Sequence, residues 1–134
     1  MPVRYAVITA ERRFSIILNG DVTIRQLLDA FRGLHADAKF DATFDGVIDL
    51  RAATSFPTGT EMEGLAKEVS ARLSLLGRPR ARRALVADSP PSREMARTFQ
   101  VLWESMGLEL EIVHTIGDAL TWLTRRAADP NVSR

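Results

Sequence analysis

Few residues in this chain of 134 are of a type that does covalent chemistry. There is no cysteine, and the histidines are His35 and His114. Disulfides, thiolate nucleophiles and cysteine zinc sites are therefore excluded. No Gly-x-Ser-x-Gly element and no phosphate loop occurs, and no nucleophile stands in a recognisable pattern with a base. The expectation is a protein that is not an enzyme and holds no metal and no cofactor. The remaining candidates are polar residues at the ends of structural elements. Thr58 and Thr60 precede an apolar-periodic segment, so either could meet an anion or take a phosphate at a helix amino terminus. The commoner role of such a threonine is a helix cap. Ser89 with Arg93 stands at a second such start, with the same two readings. Asp49 sits on a strand-like run, but the acidic pair and the lysine of a phospho-accepting receiver are missing at Thr9-Ala10-Glu11 and His114-Thr115-Ile116. We read it as a hydrogen-bonded carboxylate with Arg51 as partner. His35, Asp37, Asp41 and Asp45 match no ligand spacing and read as a solvated loop. Arg78, Arg80, Arg82 and Arg83 form a basic run without interleaved aromatics, which reads as a solvated connector. Trp122 stands beside an apolar stripe, where a large aromatic is either core or partner surface.

These residues have to be positioned by a regular frame. Val3–Thr9 and Phe14–Leu18 read as strands joined by a short turn, which allows only an antiparallel pair. Asn19-Gly20-Asp21 breaks the chain into a turn. Thr23 to about Ala36 carries Ile24, Leu27, Leu28, Phe31 and Leu34 at helical spacing, opened by a Thr23/Gln26 capping box. The central stretch is Phe44–Arg51. Its Val47-Ile48-Asp49-Leu50 run suits a strand covered on both faces, and Ala52–Thr60 reads as its exit loop. A second helix starts at Thr58 or Thr60, since Thr58/Glu61 and Thr60/Glu63 both fit a capping box. It carries Met62, Leu65, Ala66, Val69, Leu73 and Leu76 and stops at Gly77. Ala84–Ala87 is a short buried strand. Asp88-Ser89-Pro90-Pro91 opens a third helix that ends at Gly107. Leu108–Val113 alternates as an edge strand does. Thr115 with Asp118 caps a last helix bearing Ile116, Ala119, Leu120 and Leu123.

The predicted order is β-β-α-β-α-β-α-β-α: an α/β domain with a mostly parallel five-stranded sheet and helices on its faces. Residues 1–128 form a single domain, and 129–134 form a frayed tail. The net charge of +1 gives no general pull toward nucleic acid. No apolar run is long enough to span a membrane, and no signal segment opens the chain, so the expected compartment is the cytoplasm.

Leu18-Asn19-Gly20-Asp21-Val22-Thr23, Val47-Ile48-Asp49-Leu50-Arg51 and the closing Asp118-Ala119-Leu120-Thr121-Trp122-Leu123, in this order, resemble the STAS and SpoIIAA-like families. The resemblance covers nearly the whole chain. It implies a SpoIIAA-like fold, one also likened to SEC14-type lipid-binding domains. In the anti-sigma-factor antagonists the loop after the central strand carries Asp-Ser-Ser-Gly, with a phosphorylated serine. Those positions fall on Pro57, Thr58, Gly59 and Thr60 here, so Thr58 is the only hydroxyl at a matching serine position. The resemblance implies no settled activity; we read the chain as a binding or regulatory module working through protein contacts, with a partner protein or, because a sheet edge or outer helix faces must be covered, a second copy in a homodimer. The alternative is a carrier of a lipid or other apolar small molecule. The candidate binding residues are Arg51, Thr58, Thr60, Ser89, Arg93 and Trp122.

Overall fold

The computed structural model describes residues 2–77 and 81–128, with side chains through Arg125. β1 (Val3–Ile8) turns through a short 3-10 segment at Thr9–Glu11 into β2 (Arg13–Asp21). Arg12 closes that turn in the left-handed region, at φ 52°. Then follow α1 (Ile24–Ala36), β3 (Asp45–Ser55), α2 (Gly59–Leu75), β4 (Arg82–Val86), α3 (Pro90–Glu104), β5 (Glu109–Val113) and α4 (Ile116–Ala128).

The five strands lie side by side in chain order, β1-β2-β3-β4-β5. The sheet is mixed rather than mostly parallel. β1 runs antiparallel to β2, because the tight turn can only fold the chain back, and the pairs from β2 to β5 are parallel. The parallel part advances in one direction without reversal. Successive right-handed crossovers then place their helices on the same face. Accordingly α1, α2 and α3 share one core with Phe14, Ile16, Leu18, Ile48, Leu50 and Leu85. Among the described residues only α4 reaches the other face, where Ala119 and Leu123 meet Val47, Ala84 and Val86.

Two expectations about strand ends are corrected. β2 does not break at Asn19-Gly20 but runs on to Asp21, with Gly20 at φ +70°. β3 does not leave the sheet at Ala52 but continues to Ser55. Both have one cause. From Ile17 to Asn19 β2 is matched by Asp49 to Ala52 of β3, and from Gly20 to Asp21 by Ala53 to Ser55. β3 thus carries an extra residue twice. Such bulges bend a strand and break its alternation, which hides the strand from a periodicity reading.

The supposed connector is also corrected: Arg82 and Arg83 belong to β4. Arg78 and Arg80 lie outside the described residues, as does the expected tail 129–134. Leu76, placed in the α2 stripe by spacing, is exposed beyond the end of the helix.

Candidate functional site

The carboxyl ends of the parallel strands carry most of the candidates. Arg51 lies two residues on from Asp49, in the bulged stretch of β3. The Arg51 backbone amide donates to Asp49 Oδ1 (3.1 Å), and its guanidinium donates to both carboxylate oxygens at 2.9 Å. Burial pushes the Asp49 carboxyl up, but the hydrogen bonds and charge of Arg51 outweigh it and hold it below the usual range. Asp88, at the exit of β4, lies near enough to add its charge to Asp49 in favouring the charged form of Arg51.

Ser89 caps α3. Its Oγ accepts from the Ser92 amide (3.3 Å), and Ser92 Oγ accepts from the Ser89 amide (3.1 Å). Pro90 fills the first turn, where no partner is lost. One turn on, Arg93 donates to the Ala87 carbonyl (3.2 Å) and lies 3.3 Å from His114 Nε2, tying the exit of β4 to the exit of β5. Asp88, Ser89, Pro90, Arg93, Glu94 and Arg97 border a shallow depression there.

Thr58 is the cap of α2. Its Oγ1 accepts from the Glu61 amide (3.2 Å) while Glu61 returns the bond to the Thr58 amide (2.9 Å). Thr60 is an exposed first-turn residue that caps nothing. Trp122 is half-buried against the α4 cluster. Arg51 and Asp49 with Asp88, and Ser89 with Arg93 and His114, are therefore brought to one rim. Thr60 and Trp122 are not shown to join them. The rim is not a topological crevice. Ligand crevices in open sheets form where the strand order reverses and neighbouring helices diverge, and this parallel run has no reversal.

The supposed loop cluster is dispersed. Asp37 accepts from the Tyr5 hydroxyl (3.1 Å), Asp41 holds the Thr43 amide (2.8 Å), and Asp45 pairs with Arg82 (2.6 Å). Among the described residues no group of three or more His, Asp and Glu is placed to hold a metal.

What sequence reasoning missed is the second face of the sheet. In register across it lie Arg4, Ile17, Asp49 and Val86 in one row, and Ala6, Ser15, Val47 and Ala84 in the next. α4 packs over Val47, Ala84 and Val86. Toward the β1 edge the same rows are open: Arg4 and Ala6 are exposed, and Ile8, Ser15 and Ile17 are half-exposed. The Asp49–Arg51 pair stands at the border between the covered and open halves. The period-two pattern of β2 holds the signal, with Phe14, Ile16 and Leu18 facing one way and Ser15 and Ile17 the other. On the opposite side of the molecule, Ala66, Ser70, Ala71, Ser74, Leu102 and Met106 border a groove of about 470 Å³ between α2 and α3.

The architecture is that of a SpoIIAA-like α/β fold. A crystal structure of an uncharacterized protein from the DUF3478 family, with a SpoIIAA-like fold, from Shewanella loihica PV-4 matches it with a TM-score of 0.58. The match covers 90% of this chain and 91% of that one at 12% sequence identity, a likeness of fold. No family model and no curated protein matches the sequence. Among the described residues no helix is long and apolar enough to cross a membrane.

Proposed function

We propose that this protein is a non-enzymatic binding and regulatory module that acts through protein contacts on the open half of its second sheet face. The observation that carries this reading is the half-covered sheet: Ile8 and Ile17 stay half-exposed, Ile17 in register beside the Asp49–Arg51 pair, while the adjoining half is sealed by α4. A sheet face with apolar and charged groups side by side suits a protein surface better than a small solute. The rim residues support it too. Thr58, Ser89 and Arg93 are already engaged with their own backbone, so they serve as a preformed surface rather than as reactive groups.

The test is site-specific photo-crosslinking from Ala6 in the cells that make the protein, paired with native mass spectrometry of the purified chain. The expected result is a crosslink to one defined protein, or to a second copy with a dimer mass, that Ile17→Lys and Arg51→Ala each abolish without lowering the melting temperature. A native mass exceeding the bare chain by a small molecule, with the excess lost on denaturation, would overturn it in favour of a carrier. So would crosslinks that neither substitution disturbs.

A further inference from the structure

At the opposite end of the sheet from the rim, Arg83 of β4 lies next to Gly46 of β3 and points into the main core. It is 1% exposed. Its guanidinium carbon lies 4.8 Å from the ring centre of Trp103, 5.3 Å from that of Phe14 and 6.0 Å from that of Phe31. Burial pulls its pKa down to about 10, which still leaves it charged at neutral pH. Nε and NH1 have no hydrogen-bond partner, and the nearby buried Nε2 of His35 has none either. The charge of Arg83 reaches His35, as do those of Arg72 and Glu68.

Aromatic rings attract a guanidinium through its flat faces. They leave the N–H groups at its edge without acceptors, and a guanidinium can only donate. A buried ion is normally paired, and a buried donor is normally bonded. No carboxylate of the described residues forms an ion pair with Arg83. A group that completed this site would accept hydrogen bonds from those donors, and one that also carried negative charge and fitted inside the core would pair the cation.

We propose that Arg83, in its cage of Phe14, Phe31 and Trp103, is an internal binding site for a small monovalent anion, either a halide or the carboxylate of a one-carbon acid. The site is independent of the protein-contact reading above, since it lies at the other end of the sheet and on its other face.

The experiment is a titration of the wild-type chain with sodium bromide and, separately, sodium formate. Sodium methanesulfonate keeps the ionic strength constant. The Arg83 Nε–H resonance is followed by ¹H–¹⁵N NMR, and the melting temperature by fluorescence. The expected result is a saturable shift of that resonance and a melting temperature that rises with the small anion. Whichever salt saturates at the lower concentration identifies the ligand as halide or carboxylate. In Arg83→Met the dependence on the small anion disappears. A resonance that does not move in either salt, or a bromide or formate effect that survives in Arg83→Met, overturns the proposal. In that case the rings and enclosed water hold the cation. Should Arg83→Met not fold, the wild-type titration decides alone.

Discussion

His35 takes up its proton near pH 6.5 in the unfolded chain but only at about pH 4 in the folded one, because burial opposes the charge and Arg83 and Arg72 repel it. Between those values the unfolded state binds more protons, so stability rises with pH. The contribution is complete above pH 6.5 and drains away as the pH falls toward 4. Urea midpoints measured from pH 7 to pH 4 are expected to fall through this window, and His35→Leu is expected to flatten the upper part of the slope. A second single-residue effect is steric. A Cβ at Gly46 would run into the buried Phe14 ring. Gly46→Ala is expected to cost about 1–3 kcal/mol in chemical denaturation, because the ring has to shift out of a packed position. Sequence reading paired Asp49 with Arg51, and the two are bonded. It misplaced Arg83. Ala81, Arg83, Leu85 and Ala87 alternate with strand period and are all buried, but four arginines within six residues read more readily as a solvated run.

Each helix begins where its cap chemistry says, and the capping residues were legible. The choice between Thr58 and Thr60 was not, because both have a glutamate three residues on and only the backbone path decides. Thr58→Ala is therefore expected to lower stability by about 1 kcal/mol, and Thr60→Ala to stay within about 0.5 kcal/mol, both read from thermal or urea unfolding. Strand ends were less legible than helix starts. Asn19-Gly20 is a turn signal in isolation, but pairing with β3 carries the strand through it. The extra residues in β3 remove the alternation by which its last turns would have been recognised.

Across the whole molecule, the alternation of strands and helices was visible in the sequence but the order of strands within the sheet was not. That order decides which faces are covered. With three helices committed to one face, α4 alone has to seal the other, through Ala119 and Leu123. Leu123→Ala is expected to cost about 2–5 kcal/mol by denaturant unfolding, a core-sized penalty for a residue on the last helix. Substitutions at Leu75 or Val101, which are 83% and 69% exposed, are expected to leave the midpoint unchanged.

The strand order has a consequence for synthesis. Every strand pairs with the one made just before it, starting from a hairpin at the amino terminus. No strand has to wait for a distant one, so the sheet can grow at one edge as the chain leaves the ribosome, at about 5–20 residues per second. The exception is α4, which arrives last and closes the second face. Until it does, Val47, Ala84 and Val86 face solvent, an apolar strip open to aggregation for as long as the fifth strand has formed without its following helix.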